Sequence, residues 1–394
     1  MMNNFFEDCD DASEVQDQHE ALLNNLNMLK GMSVEESTFY KKWVEVQGYL
    51  NYANQSDVTK AQIWRPTDIM DKDLTLSELD SIDPEIVFVD PNNETLMADW
   101  LMIRVFVHSM PFDQTPGRFL RFLVRDKTSG KYLGATSVSS DVIVITKRDE
   151  YIGWTKEDKL EEGRLNNSAI GSCIMSTQPF GYNFLGSKLV ASMVTSKNVR
   201  DVWEKLYDNK LVGMTTTSLY GSKSFYNGVP CWRKCGSSAG KISIKPDDKY
   251  YTWWHDYIKK EKSEEYTKKM TQKEGVSGPV TGAKQRVIQM IFSHLKIKAS
   301  NYTHGFERGV YYANIYDNTR EFLQGKVKSD DLVMKKSLVT DVEGIVEWWR
   351  PKAKKRYLNL LEKGLLKPEI SYYSPMINCS YSDSKDMFLS EVGR

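Results

Sequence analysis

Residues 168–188 carry the sequence pattern best suited to binding a cofactor. The small and apolar residues from Ala169 to Met175 predict a central strand, and Pro179 breaks it. Gly186 then opens an apolar helical run, where a ligand can approach free backbone N–H groups and the positive end of the helix dipole. The pattern predicts a cradle for a phosphate group, such as the pyrophosphate of coenzyme A. An ordinary strand-to-helix turn is the alternative that it leaves open.

A basic cluster late in the chain suits a polyanionic partner. The cluster follows Trp348 and Trp349 and comprises Arg350, Lys352, Lys354, Lys355 and Arg356. Basic side chains beside aromatic rings can neutralise a nucleic-acid backbone and stack on bases. Pro351 suits the first turn of a helix, which would place Lys352, Lys355 and Arg356 on one face. The cluster predicts a nucleic-acid interface, and a solvated helix start is the alternative.

Arginines also alternate with aromatic residues earlier in the chain. This weaker pattern comprises Arg118, Arg121 and Arg125, interleaved with Phe119 and Phe122. The pattern receives little weight. Arg164 lies in a polar loop and is a further candidate for contact with phosphate; a solvated side chain is its alternative.

The cysteines and histidines do not predict a metal site. Cys231 and Cys235, with His255 downstream, invite a zinc interpretation, but a fourth ligand is missing. The sequence also lacks a P-loop, a dinucleotide-binding fingerprint and an HExxH motif. We therefore expect no metal.

The composition bounds the class of protein without selecting a function. The chain has 394 residues, 40% of them hydrophobic, which predicts two or three domains. Its 53 basic and 53 acidic residues balance, so any nucleic-acid site must be local. No apolar run reaches the length of a membrane span, and the acidic amino-terminal residues lack a signal-peptide pattern. Five scattered cysteines favour a reducing cytoplasm. The oligomeric state is not predicted.

Changes in composition predict three consecutive segments. Residues 1–84 are acidic and helical, residues 85–245 alternate strands with helices, and residues 246–394 are mainly helical. The middle segment contains a hairpin, in which the turn DKTSGK joins two strands. Within the last segment, GFERGVYYANIYDNTREFLQG is expected to be helical. The expected fold class is α/β, with a mixed sheet and flanking helices.

The region from about residue 105 to residue 241 resembles a known group of proteins. The motifs that carry the resemblance are FVHSMPFDQTPGRFLRFLVRD, SGKYLGATSVSSD, YIGW, NFLGSKLV and FYNGVPCWRKCGSSAG. In this order they are similar to the Mom group of phage DNA-modification proteins, which are diverged members of the GNAT acyltransferase fold. They are also similar to the DruA-like proteins of Druantia defence systems.

The resemblance implies a GNAT-like fold and a place for an acyl-CoA. In that fold the central strand splays from its neighbour at a bulge, where backbone N–H groups polarise the thioester carbonyl, and the next helix holds the pyrophosphate. The strand end maps onto Met175 to Gln178 and the phosphate loop onto Gly181 to Lys188. The implied cofactor-binding residues are Gln178, Gly181, Asn183, Gly186, Ser187 and Lys188. The chain departs from the usual glycine-rich loop at Pro179 and Phe180.

The resemblance also implies an acid and a base for acyl transfer. His108 precedes the hairpin and is the implied base, because the pKa of histidine lies near neutrality. Tyr226 occupies the position of a tyrosine that protonates the leaving thiolate. Mom-like proteins carry an acidic residue where this chain has Ser218, so that role is assigned to Asp141. A structural histidine and a packed aromatic ring are the alternatives for the first two.

The leading hypothesis is therefore a DNA-modification protein of phage or mobile-element origin. It would transfer an acyl-derived group to a DNA base, with adenine as the expected target, and so evade restriction. Acetyl-CoA or another acyl-CoA is the implied donor, and DNA is the implied partner. Two alternatives stay open: a non-catalytic nucleic-acid-binding protein with a degenerate GNAT-like fold, and an acyltransferase acting on protein or a small molecule.

Overall fold

The strands that form the main sheet come from both sides of a long helical insertion. In a computed structural model of the chain, the described residues are 4–47, 62–107, 117–218, 224–238, 241–271, 282–305, 307–335, 341–368 and 380–392. They group into two units. The first consists of Met1–Thr38 and Ala239–Phe306, and the second of Phe39–Ser238 and Glu307–Arg394.

The second unit is built on a seven-stranded mixed sheet with the order β1-β2-β3-β4-β5-β9-β6. Its strands are β1 (Pro84–Phe88), β2 (Phe119–Asp126), β3 (Tyr132–Ser140), β4 (Ser168–Ser176), β5 (Gly213–Ser218), β6 (Trp232–Ser238) and β9 (Arg308–Asn314). β1 to β4 pair in antiparallel fashion, β4 and β5 are parallel, and β9 pairs antiparallel with both β5 and β6. The mixed α/β fold class is confirmed.

The predicted hairpin is formed by β2 and β3, and its turn is fixed by one carboxylate. The buried Asp126 side chain accepts hydrogen bonds from the backbone N–H of Ser129 at 3.0 Å and from the Ser129 hydroxyl at 2.6 Å. It also accepts from the backbone N–H of Asp83, at 2.8 Å, which ties the turn to the start of β1. Gly130 adopts a positive φ of 71°, a conformation that glycine accommodates without strain.

Helices cover both faces of this sheet. They are α3 (Lys72–Ser81), α4 (Glu94–Val107), α5 (Thr146–Ile152), α6 (Lys156–Leu160), α7 (Phe180–Phe184), α8 (Gly186–Met193), α9 (Lys197–Tyr207), α13 (Thr319–Leu323), α14 (Val342–Glu362) and α15 (Tyr381–Val392). Short 3-10 segments span Glu161–Asn167 and Ser329–Asp331. Helix α2 (Val34–Gln47) contains the residue at which the two units divide. Ser33 caps it by accepting from the Glu36 N–H at 3.1 Å.

Alternating side chains give the sheet two apolar faces with separate cores. On one face, Phe122, Leu133 and Ile174 pack with residues of α7, α8 and α9. On the other, Leu123 and Ala135 join a smaller core around Trp100 and Ile103 of α4. The two-residue period of a strand produces this separation, because neighbouring residues point to opposite faces. We call the two sides the α8 face and the α4 face.

The central strand β4 separates from β5 soon after both begin. Only Ser168, Ala169 and Ile170 pair with β5, opposite Gly213 to Thr215. On its other side β4 stays paired with β3, but the register shifts: Ser137 faces Cys173 and Val138 faces Gly171. Ser172 is therefore an extra residue, a β-bulge in the middle of the strand. The resemblance implied such a splay, but at Met175 to Gln178, a segment that begins three residues beyond Ser172.

One segment expected to be helical is a strand instead. Residues Arg308–Asn314 form β9 and are buried almost throughout, because they lie between β5 and β6. The run VYYAN is rich in β-branched and aromatic residues, which fit a strand. The prediction of a helix was wrong because the residues that follow this run do form a helix, and the whole stretch was assigned together. The division into residues 1–84, 85–245 and 246–394 stays a prediction.

The first unit is mostly helical. Its helices are α1 (Asn4–Gly31), α10 (Asp248–Glu261), α11 (Ser263–Met270) and α12 (Ala283–His294). A short hairpin pairs β7 (Lys241–Ser243) with β8 (Thr303–Gly305), and a 3-10 turn spans Ala299–Asn301. Trp254 is fully buried, and its indole donates to the Gln18 carbonyl at 3.3 Å, which ties α10 to α1. Within the described ranges, every helix is too short or too polar to cross a membrane.

A buried lysine lies where α2 packs against α4 in the second unit. Lys42 has no exposed surface and its ammonium lies 2.6 Å from the Glu45 carboxylate, while Arg104 of α4 lies 4.0 Å from the same carboxylate. Burial lowers the pKa of Lys42 to about 8, although Glu45 acts in the opposite direction. The folded chain therefore binds this proton less tightly than the unfolded chain does.

We predict that this lysine makes stability rise with pH. Between pH 8 and 10.5 the unfolded state holds more protons at Lys42, so the free energy of unfolding should increase by up to about 3 kcal/mol across that range. Lys42→Met should lack this increment, while all other titrating groups cancel in the comparison. Urea unfolding followed by circular dichroism at pH 7, 9 and 10.5 measures it. Parallel pH dependences for the two proteins would contradict the prediction.

Candidate phosphate-binding site

Two short helices follow β4, where the sequence predicted a loop. The segment from Gly181 to Lys188 forms most of α7, a single residue in the left-handed conformation, and the start of α8. That residue is Leu185, with φ at 55°. Its carbonyl accepts the backbone N–H of Lys188 at 2.9 Å, which begins α8. Gly186 therefore lies at a helix N-terminus, as predicted, but the predicted phosphate loop is a helical corner.

The glycine at this corner is required by packing. Gly186 is buried, and a Cβ built on it would collide with the Phe180 ring. Phe180 also contacts Trp349 of α14, with ring centroids 5.5 Å apart. Gly181 is constrained in the same way, because a Cβ there would collide with the Ser176 hydroxyl. Packing thus accounts for both glycines.

A cavity of about 460 Å³ opens beside this helix start. It is lined by Leu185, Lys188, Gly228, Trp348, Lys352, Lys355, Arg356 and Asn359. Two predicted sites therefore form one: Lys188 comes from the predicted cofactor cradle, and three cations come from the predicted nucleic-acid cluster. We call this cavity the cationic pocket.

Aromatic packing brings the two sets of cations together. Trp349 of α14 is fully buried and donates from its indole to the Phe184 carbonyl of α7 at 3.0 Å. About two helical turns further along α14, Tyr357 stacks on Phe184, with ring centroids 5.5 Å apart. These contacts fix one face of α14 against α7. The neighbouring face, with Trp348 and the residues four, seven and eight positions later, therefore lines the pocket.

No carboxylate is among the described residues that line the pocket, so their charges are all positive. Burial lowers the pKa of Lys188, and the charge of Lys352 lowers it further. Lys188 donates to the Asn227 carbonyl, and Lys352 lies over the Trp348 ring, 4.9 Å from its centroid. Arg356 lies over the Tyr182 ring at 5.1 Å. Neutral oxygens and aromatic faces thus hold these cations in place without cancelling their charge.

The other predicted basic residues lie apart from the pocket. Lys354 is paired with Asp80 of α3 at 2.6 Å, and Arg350 donates to the Ile82 carbonyl at 2.6 Å. Arg164 is paired with Glu161 at 3.0 Å. Pro351 lies inside α14, which begins at Val342, so the helix starts nine residues earlier than proline alone suggested. All five basic residues of the cluster lie on α14, but the helix places three of them in the pocket and the other two on a different face.

The remaining implied cofactor residues make internal contacts. The Gln178 side-chain oxygen accepts the Tyr182 N–H at 3.1 Å. Asn183 is fully buried and joins α7 to the chain after α14, with its amide donating to the Lys367 carbonyl at 2.7 Å. The Ser187 hydroxyl lies 2.8 Å from that of Ser176. These side chains shape the corner between β4 and α8 and do not line the pocket.

Tyr226 lies at the gap between β4 and β5, on the α8 face. Its hydroxyl is 3.3 Å from that of Thr216 on β5, and Thr216 in turn donates to the Gly171 carbonyl of β4 at 3.0 Å. The ring packs against Trp232 and Tyr311. Only 5% of Tyr226 is exposed, and burial raises its pKa. The hydroxyl is therefore protonated at neutral pH, as an acid must be, but it is also well packed.

Asp141 belongs to a buried network at the start of the β4–β5 pair. Its carboxylate is paired with Arg148 at 2.6 Å and accepts from the Ser168 hydroxyl at 2.6 Å and the Thr215 hydroxyl at 2.8 Å. With this many partners and no exposed carboxylate surface, it serves to join β3, β4 and β5 to α5. We therefore leave Asp141 out of the proposed site.

Two further predictions concern the implied base, His108, and the absence of a metal site. His108 lies outside the described residues. In the described ranges, no group of three or more histidine, cysteine, aspartate or glutamate side chains is placed to hold a metal. Cys231 is buried, which raises its pKa to about 11, and Cys235 is half-buried with its pKa raised to about 12. These thiols are therefore neutral at physiological pH.

Gly186→Ala should destabilise the second unit, because the added methyl group must displace Phe180 from the aromatic packing. We expect a loss of about 1–3 kcal/mol. Gly31→Ala is the matched control, since a Cβ at Gly31 meets no atom within 4 Å. Chemical denaturation of the two variants and the parent measures the difference. Equal stabilities for Gly186→Ala and the parent would show that the corner is not packed as described. A charged Gly186→Glu would disturb the fold itself and is not a clean probe of binding.

Comparison with known proteins identifies the family. The family model of Druantia protein DruA matches residues 49–325, well over half of the chain. Druantia protein DruA of Escherichia coli (strain UMEA 4076-1) is 24% identical over 254 residues, which are 60% of this chain and 61% of that protein. A tandem GNAT protein from the clavulanic acid biosynthesis pathway aligns with 58% of this chain and 98% of its own, at 10% identity and a TM-score of 0.24, too loose a superposition to carry an argument. The chain belongs to the DruA family of Druantia proteins.

Proposed function

We propose that this DruA-family chain is a GNAT-like transferase that holds an acyl-CoA by its phosphates in the cationic pocket. It transfers an acyl-derived group to a DNA base, with adenine as the expected acceptor. The observation that carries the proposal is the position of the pocket, beside the first turn of α8, the second of the two helices that follow the splayed strand β4. The resemblance to Mom-group proteins implies phosphates at that helix and supports a role in DNA modification against restriction.

The residues of the pocket fit the phosphate-bearing end of the cofactor. Lys188, Lys355 and Arg356 would hold the pyrophosphate, with the N–H groups at the start of α8 beside them. Trp348 offers an aromatic surface on which an adenine ring can stack. The volume of about 460 Å³ lies within the range of small-molecule sites. A bound acyl-CoA would supply an acyl group activated as a thioester.

The divergence of β4 from β5 leaves room for polar contacts at the reacting end. Beyond Ile170, the described residues of β4 and β5 form no ladder pair, so this edge of β4 is not bonded to the β5 backbone within the described structure. Backbone N–H groups at such an edge can bind a carbonyl oxygen on which negative charge develops. Tyr226 lies at the same gap. Burial raises the pKa of its hydroxyl, which is therefore protonated at neutral pH.

A second function is favoured by the origin of the cations. Lys352, Lys355 and Arg356 lie on one helix face beside Trp348, the combination that single-stranded nucleic acid prefers. In this alternative the chain binds nucleic acid without catalysis and the pocket holds a backbone phosphate. The pocket is lined by cations from two separate segments of the chain, which suits a compact polyanion better than an extended strand. We therefore place the transferase first.

Calorimetric titration with coenzyme A tests the donor site. We expect Lys355→Gln to weaken binding about tenfold, because one charge-assisted contact is lost. Lys354→Gln is the matched control: it is the neighbouring residue on α14, but its ammonium is paired with Asp80 outside the pocket. Its affinity should stay within about twofold of the parent. The proposal fails if the parent does not bind coenzyme A, or if both variants lose affinity equally.

Mass spectrometry of nucleosides tests the transferase activity. DNA from cells expressing the parent protein should contain a modified deoxyadenosine whose added mass equals an acyl-derived group. Cells expressing Lys355→Gln should contain much less of it, at equal protein levels. A parent protein that binds coenzyme A but leaves every nucleoside unmodified would favour the alternatives, an acyltransferase with another acceptor or a non-catalytic binding protein.

A further inference from the structure

The α4 face of the sheet carries a row of polar side chains at its centre, where an apolar core is expected. Arg121 of β2 faces Ser137 of β3, and Ser137 faces β4 at the bulge, where its hydroxyl lies 2.9 Å from that of Ser172. Ser139 is the next residue of β3 on the same face. We call Arg121, Ser137, Ser139 and Ser172 the polar row.

Two buried atoms of the polar row have no hydrogen-bond partner within the described structure. They are the Ser139 hydroxyl and the Nε of Arg121. Ser139 has no exposed surface, although a buried hydroxyl normally finds a partner. Ser172, by contrast, is exposed in the middle of the central strand, because the bulge turns it out of the ladder. The row therefore combines unmet hydrogen-bonding capacity with an opening to solvent.

Arg121 differs from the two arginines nearest to it in the sequence. Arg125 is paired with Glu85 at 2.6 Å, and Arg118 donates to the Asn209 side chain. Arg121 has no carboxylate partner in the described part of the chain and lies over the rings of Phe119 and Trp100, at 4.6 Å and 5.3 Å. Burial lowers its pKa, yet an arginine keeps its charge at physiological pH. The guanidinium is held by aromatic surfaces and remains uncompensated.

We propose that the polar row binds a backbone phosphodiester of the nucleic-acid acceptor. An uncompensated guanidinium next to serine hydroxyls is a typical donor set for phosphate oxygens. The acceptor strand then lies on the α4 face, while the donor phosphates lie in the cationic pocket on the α8 face. The bulge at Ser172 is where β4 opens between the two. The identity of the acceptor as nucleic acid rests on the proposed function.

The arrangement explains why the cations of α14 are not needed for the acceptor. The sequence assigned Lys352, Lys355 and Arg356 to nucleic acid, but these residues converge with Lys188 on the other face. In this arrangement the donor approaches the splayed strand from the α8 face. The acceptor, bound by the polar row, approaches it from the α4 face.

Binding of a fluorescein-labelled 12-nucleotide single-stranded DNA, measured by anisotropy at several salt concentrations, tests the proposal. Arg121→Gln should weaken binding about tenfold and reduce the slope of log affinity against log salt by about 0.7. Arg125→Gln is the matched control, on the same strand but paired with Glu85, and should change neither value. Coenzyme A binding by Arg121→Gln should equal that of the parent, which separates this proposal from the donor site.

Two further variants keep the test decisive if Arg121→Gln perturbs the fold. Arg121→Lys should retain the salt slope with reduced affinity, and Ser172→Ala, at an exposed position, should weaken binding roughly threefold. Thermal unfolding verifies that each variant is folded. Unchanged DNA affinity and slope in these variants would overturn the proposal, as would a parent protein that does not bind the oligonucleotide. Loss of DNA binding on Lys355→Gln instead would place the nucleic acid in the cationic pocket and also overturn it.

Discussion

The packing of α14 against α7 is the interaction on which the candidate site depends. Trp349 and Tyr357 bury their rings against Phe180 and Phe184, and this contact forces the neighbouring face of α14 toward the start of α8. Four positive side chains then share one cavity with no carboxylate among its lining residues. Like charges so placed repel one another, and the aromatic contacts must supply the energy that holds them. An anion bound between them would relieve this repulsion.

The sheet separates the two ends of the proposed reaction. Its α8 face carries the cationic pocket, its α4 face carries the polar row, and the strand between them is the one that leaves its neighbour after three paired residues. The network around Asp141 fixes the point of divergence, because it joins the first residues of β4 and β5 before they separate.

Local signals predicted the elements, and long-range packing decided the site. The alternation around the β2–β3 hairpin and the helix start at Gly186 were readable because they depend on neighbouring residues. The meeting of Lys188 with Lys355 joins segments 167 residues apart, for which one sequence holds no signal. β9 was missed because helical sequence surrounds it, and the bulge at Ser172 because an extra residue in a strand leaves no mark on composition.

A crystal structure of the chain with coenzyme A tests the central claim most directly, namely that one pocket built from α8 and α14 holds the phosphates of the donor. The pyrophosphate should lie within hydrogen-bonding distance of Lys188 and of Lys355 or Arg356, with the pantetheine arm and its thiol directed toward the gap between β4 and β5. Coenzyme A ordered elsewhere on the chain would contradict the claim. So would a pocket that stays empty when crystals are grown at a saturating concentration.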